Sequence, residues 1–249
     1  MCAYVRIAAG FGMKVKERVE NTDRPWSAYF VRPMRPEDIP QVARVERECF
    51  PTGWAATPFK RELRKRSITF FVACEATDPA AAEQEARAFL QQEDPSRQVS
   101  GLRRVINGLR GLFVSQPPSP PQPLQRIVGY VGLWFMTDEA HITAIGVRES
   151  HRRRGIGEML LIGSIEATVP SEASVLTLEV RVSNGEAQAL YEKHGFSPVG
   201  VRKGYYTDNR EDAMIMTTDA VADAAYRERL DSLRQQHAAR WGDSVRILA

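Results

Sequence analysis

The chain has 249 residues, 43% of them apolar and 26% charged, with a net charge of +3. That length suits one large domain or one domain with appendages, and so small a charge calls for no nucleic-acid partner while leaving room for a local basic patch. Cys2, Cys49 and Cys74 are odd in number without metal-ligand spacing, and no apolar run reaches the ~20 residues of a membrane span, so the expectation is a cytoplasmic protein without a metal.

Residues 1–26 begin mildly apolar (Tyr4-Val-Arg-Ile-Ala-Ala), turn charged around Asn21-Thr-Asp-Arg-Pro25, and read as a peripheral arm. From Ala28, Tyr-Phe-Val-Arg predicts a first strand, ended by Pro33 and Pro36, and Pro36 suits a helix start. Ile39, Val42, Ala43, Cys49 and Phe50 then recur near helical spacing up to Pro51. The turn Phe50-Pro-Thr-Gly-Trp54 precedes a short helix, Pro58–Leu63, and Ser67–Ala76, dense in aromatic and β-branched residues, predicts a second strand.

Residues 78–125 break the pattern and read as an insertion between the second and third strands. An Ala/Glu/Gln-rich stretch is followed by Leu102, Val105, Ile106, Leu109, Leu112 and Phe113 at helical spacing, with Arg103, Arg104 and Arg110 elsewhere round the helix. Gln116-Pro-Pro-Ser-Pro-Pro-Gln-Pro123 is a semi-rigid spacer. The basic amphipathic helix 102–113 is expected to dock on its own domain, with a partner or a membrane surface as the alternatives.

Ile127–Phe135 and Ala140–Val147 predict the next two strands, with Gly129 and Gly132 marking a bulge or a close contact. The second strand runs into Arg148-Glu-Ser-His-Arg-Arg-Arg-Gly-Ile-Gly157 and then the helix Glu158–Ile165, which ends before Pro170. This is a phosphate cradle: glycines allow close backbone approach, the first amides of a helix have no internal partners, and the helix dipole favours an anion. It is no P-loop, because Glu158 and Met159 stand where Lys and Ser/Thr are needed, and no dinucleotide fingerprint, because Leu160 replaces the third glycine. Ser174–Val182 alternates cleanly, with Thr177, Glu179 and Arg181 on the polar face. Ser183–Glu186 has capping-box form, Ala187, Leu190, Tyr191 and His194 share one helix face, and Gly195 ends that helix. Phe196–Arg202 and Ala213–Met216 predict closing strands. Asp219–Trp241 predicts a charged helical tail contacting the body through Tyr226, Leu230 and Leu233.

Taken together, Arg152-x-x-Gly155-x-Gly157, Leu178-Glu-Val-Arg-Val-Ser-Asn184, Ala189-Leu-Tyr191, Gly195-Phe196, and Tyr205-Tyr206 with Glu211-Asp-Ala213 resemble the RimI branch of the GNAT superfamily of acetyl-CoA-dependent N-acetyltransferases. The resemblance covers about residues 28–217 less the insertion. It implies an α/β (α+β) fold with a mixed, mostly antiparallel central sheet flanked by helices. The organisation expected is an N-terminal arm (1–26), a GNAT domain (27–218, insertion 78–125) and a C-terminal helical tail (219–249). It further implies that Arg152, Arg153, Arg154, Gly155, Ile156 and Gly157 hold the diphosphate of acetyl-CoA, that the backbone of Ile145, Gly146 and Val147 holds its pantetheine arm, and that Asn184 contacts it. Glu179 would be general base, Tyr191 general acid, and Tyr205, Tyr206 and Trp54 would line the site of a protein N-terminus, a ribosomal N-terminal alanine above all. On the residues alone, Glu179 also reads as an exposed charge beside Arg181, Tyr191 and Trp54 as core, Asn184 as a helix cap, and Tyr205 and Tyr206 as a hairpin anchor. Lysine or small-amine acetylation and a non-catalytic acyl-CoA-binding module stay open. Two departures stand out: the insertion replaces a short turn, and Gly53 stands where relatives often carry proline.

Overall fold

The apolar runs at 68–76 and 127–135 are too continuous to bury one face only, and they form the middle of a sheet. The computed structural model describes residues 27–50, 56–78, 81–91 and 125–248. The arm, Gly53, Trp54, the 102–113 helix and the proline run lie outside the described residues. Among the described residues seven strands form one sheet, in the order β1-β2-β3-β4-β5-β7-β6. They are β1 (Tyr29–Pro33), β2 (Ile68–Glu75), β3 (Arg126–Phe135), β4 (Glu139–Val147), β5 (Val175–Arg181), β6 (Phe196–Arg202) and β7 (Ala213–Thr218). Every neighbouring pair is antiparallel except β4 and β5. The mixed, mostly antiparallel sheet expected from the resemblance is therefore present.

Helices cover both faces: α1 (Ile39–Cys49), α2 (Phe59–Glu62) and α3 (Ala81–Gln91) on one, α4 (Ile156–Thr168), α5 (Gly185–Lys193) and α6 (Ala224–Trp241) on the other. The helix α3 lies inside the stretch read as an insertion. It buries Ala82 and Ala86 in the core, and the guanidinium groups of Arg32 and Arg35 sit 4.7 and 3.7 Å from the ring centre of Phe89. Helix α4 is apolar nearly all round, as its place between sheet and α6 requires.

The tail is more than an appendage. Tyr226, Leu230 and Leu233 are buried as expected, and so are His237 and Ala238. Beyond Gly242 the chain lies parallel to β1: Val31 N–H donates to Val245 O at 2.9 Å and Ile247 N–H to Val31 O at 2.8 Å. Arg246, buried there, pairs with Glu166 of α4 at 3.0 Å, and Arg234 of α6 reaches the same carboxylate at 2.7 Å. Among the described residues no helix is long and apolar enough to cross a membrane.

One irregularity positions the site. Pairing between β4 and β5 extends only from Glu139–Ile142 against Val175–Leu178. At Thr143 the β3–β4 register slips, Gly132 facing Ala144 while Leu133 faces Ile142. A Cβ on Gly132 would lie 2.6 Å from Thr143 Oγ1 and 2.8 Å from Phe70, so glycine there is what admits the bulge. Beyond it the two strands part.

Candidate active site

Among the described residues no strand pairs with the outer edge of β4 from Thr143 to Val147, while β5 continues against β7. The parting is a wedge bounded by backbone on both sides. Alternation along β5 turns Leu178 and Val180 toward α4 and α5, and turns Thr177, Glu179 and Arg181 to the opposite face.

The cradle lies at the far end of β4. Gly155 is the N-cap of α4 with φ +75°, and Arg153 also adopts a left-handed conformation at φ 61°. The first bond of the helix runs from Met159 N–H to Gly155 O at 2.9 Å, so the N–H groups of Ile156, Gly157 and Glu158 have no partner within it. A Cβ on Gly157 would meet only Val147 Cγ2, at 3.9 Å, so the backbone is uncrowded on that side. Arg152, Arg153 and Arg154 are exposed around it. They are not all turned to the cradle: Arg152 Nε donates to Val147 O at 3.3 Å, Arg153 pairs with Glu186, and Arg154 donates to Tyr29 Oη at 3.1 Å. Ile145 and Val147 pack toward α4, whereas Gly146 faces Cys49 of α1, whose Sγ a Cβ would approach to 3.0 Å.

Glu179 is not a free surface charge. Its side chain is 8% exposed and pairs with His141 Nε2 at 2.9 Å and Arg202 Nε at 3.0 Å. His141 Nδ1 lies 2.8 Å from Thr177 Oγ1. The hydrogen bond from His141 outweighs burial, and with Arg202 it holds the Glu179 carboxyl below the usual carboxylate range. Arg181, the expected neighbour, is instead turned to the β6–β7 hairpin. There it grips Asp208 at 2.8 and 2.9 Å and Glu211 at 3.0 Å, and lies 3.8 Å over the ring of Tyr206.

Tyr191, on α5, is buried in the core cluster beyond the opposite face of β5, and its hydroxyl has no hydrogen bond among the described residues. Burial raises its pKa well above that of an ordinary phenol. Asn184 caps α5, its Oδ1 accepting from Ala187 N–H at 3.2 Å, so the cap is Asn184 rather than Ser183. Tyr205 and Tyr206 stack edge-on at 5.3 Å and border a cleft of about 490 Å³ with Pro58, Phe70, Ala144 and Arg181. Burial pushes the Tyr206 hydroxyl to about 12.

The chain as a whole is similar to known proteins. A model of the acetyltransferase (GNAT) family matches residues 122–196. A protein of Bacillus subtilis (strain 168), provisionally named a ribosomal protein bS18-alanine N-acetyltransferase, is 31% identical over 186 residues, 75% of this chain and 92% of that one. The chain belongs to the GNAT acetyltransferase family. This GNAT enzyme is also 29% identical over 189 residues to an N-alpha-acetyltransferase of Saccharolobus solfataricus, covering 76% of its own length and 91% of the relative's. Its fold matches the crystal structure of the ribosomal-protein-S18-alanine N-acetyltransferase from Escherichia coli, at TM-score 0.52 and 22% identity over 77% of this chain and 94% of that one.

Sequence reasoning missed two groups of the candidate site, His141 and Arg202, both paired with Glu179. The only local signal for His141 is a lone titratable residue in the strand Ala140–Val147. Its partner depends on the β4–β5 register, which sets His141 opposite Thr177.

Proposed function

We propose that this N-acetyltransferase takes acetyl-CoA as its acetyl donor and acetylates the N-terminal α-amine of a protein, with a ribosomal protein bearing N-terminal alanine as first candidate. The observation that carries the reading is the wedge itself: Glu179 on one face, Tyr191 on the other, and unpartnered helix amides at its end. The names of the Bacillus and Saccharolobus relatives support the choice of acceptor.

The residues present fit such a donor. The amides of Ile156, Gly157 and Glu158 suit a diphosphate, and Arg152, Arg153 and Arg154 surround it with positive charge. Arg153 leaves Glu186 at small cost, because an ion pair so exposed is worth little. The unpaired edge of Ile145, Gly146 and Val147 suits the amides of the pantetheine arm, and Asn184 keeps its side-chain NH₂ available beside it. Acetyl-CoA supplies a thioester, whose carbonyl carbon the amine attacks directly.

Removing the proton from an α-amine at pH 7 costs ~1 kcal/mol, against roughly 4–5 kcal/mol for a lysine. A carboxylate held as firmly as Glu179 is a weak proton acceptor on its own. Glu179 therefore attracts the ammonium, and the Glu179–His141 pair takes the proton as a unit, directly or through one water. The C–N bond forms as the C–S bond breaks, Tyr191, kept protonated by burial, donates its hydroxyl hydrogen to the departing sulfur, and the second proton shed by the acylated nitrogen passes through water to restore the phenol. The modest strength of this base suits an α-amine. Tyr205 and Tyr206 hold the first residues of the chain that carries it, across the cleft from Pro58.

A panel of peptides differing in the first residue, assayed with acetyl-CoA for thiol release, tests the reading. Free N-termini beginning with alanine should turn over, and the same peptides with blocked N-termini should not. Acetylation of an internal lysine in the blocked peptides overturns it.

A further inference from the structure

We propose that the tail helix α6 positions the cradle through His237 and Trp241, and so sets how well the enzyme uses the diphosphate of its donor. The proposal rests on the reading that the Arg152–Gly157 loop holds that diphosphate.

Gly155 is where the tail meets the loop. Its carbonyl accepts from Met159 N–H at 2.9 Å and also from His237 Nε2–H at 3.1 Å. In a trans peptide the C=O and the following N–H point in opposite directions. Two donors on Gly155 O therefore fix the direction of the Ile156 N–H, the first of the unpartnered amides. His237 is buried, and burial lowers its pKa, which keeps the ring neutral with its hydrogen on Nε2.

Trp241 fixes the other degree of freedom. Its indole packs so closely on Gly155 that a Cβ there would lie 2.6 Å from Cδ1 and 2.7 Å from Nε1. The ring thus fills the space beside a residue already at φ +75°, and no other residue type fits. Among the described residues Trp241 Nε1 is buried without a hydrogen-bond partner, so toward Gly155 the indole contributes shape.

The same helix reaches the element that carries Tyr191. Tyr226 Oη donates to His194 O at 2.8 Å, and Arg229 donates to Glu192 O at 3.1 Å, capping the end of α5. Arg234 ties α6 to α4 through Glu166. One rigid helix therefore spans the first turn of α4 and the last of α5, setting the diphosphate loop at a fixed distance from the phenol. His237 and Trp241 are positioning residues, since neither reaches the reacting atoms.

The full-length enzyme should be assayed with acetyl-CoA and with S-acetylpantetheine, which has the thioester but no diphosphate. The quantity read is the ratio of kcat/KM for the two donors, from which any inactive fraction of a preparation cancels. In His237→Leu and Trp241→Leu the ratio is expected to fall about tenfold, through a higher KM for acetyl-CoA. His237→Gln, which keeps a donor near Nε2, and Trp241→Phe, which keeps the shape, should restore it. Should a leucine variant fail to fold, His237→Asn withdraws the donor with less disturbance and should lower the ratio likewise. Variants that fold and keep the wild-type ratio overturn the role of the tail while leaving the diphosphate reading intact. A wild type that uses both donors equally well overturns the diphosphate reading, and this proposal with it.

Discussion

The two halves of the sheet, on either side of the parting, are held together by different forces. The half from β1 to β4 is dry: Phe30, Phe71, Val72, Tyr130, Val131 and Leu133 are fully or almost fully buried, and helices cover both faces. The half from β5 to β7 is held by charge on the face that carries Glu179 and Arg181. Arg181 ties Asp208 and Glu211, Lys203 ties Asp212, and Arg202 ties Glu179, while Val199 and Val201 of the edge strand β6 are 60% and 49% exposed. Apolar packing involves no ionisation and is not weakened by screening, whereas ion pairs of this exposure weaken both with acid and with added salt. Under the proposed function the donor lies with the rigid half and the acceptor with the adjustable one.

The sharpest way to break this comparison is to remove the charge at the boundary. Glu179→Gln should slow turnover by about 10²–10⁴-fold, with Tyr191→Phe at the lower end of that range. Isothermal titration should find acetyl-CoA binding nearly intact in both, and a wild-type rate in either would remove that residue from the chemistry. Next in size, Arg181→Ala releases the hairpin and should raise KM for the peptide about tenfold with little change in KM for acetyl-CoA. A parallel rise in both constants would mean that the halves are not separable.

The smallest effect is with acid. Hydrogen bonds from Ser183 push the Glu211 carboxyl from 4.5 to about 2, and Arg181 and Lys203 lower those of Asp208 and Asp212. A depressed pKa in the folded state adds stability above the unfolded value, and that stability disappears as pH falls through the folded one. The ring resonances of Tyr205 and Tyr206 should therefore shift as pH falls from about 4.5 toward about 2, before those of Tyr130 in the dry half. Simultaneous change would show one cooperative unit.

The strands, the cradle and the capped helix were legible because each is written in local pattern: alternation in β5, glycines before α4, Asn184 before α5. Two kinds of feature were not. The helix α3 turns alanines inward, at Ala82 and Ala86, and so small an apolar stripe hardly differs from a solvated Ala/Glu stretch. The partners of Glu179 are the second kind. His141 and Arg202 stand far from it along the chain, and only the pairing of β4 with β5 and the return of β6 bring them together. The same holds for Trp241 against Gly155: nothing near either residue announces the other.

The strip from Asp243 to Ile247 can cover β1 only after the rest of the strands have been synthesised, because the partner of Val31, Arg246, lies more than two hundred residues later. During translation β1 is thus an open border, able to recruit any extended peptide nearby. A nascent chain halted before residue 243 would carry all seven strands beside an unsealed, aggregation-prone flank.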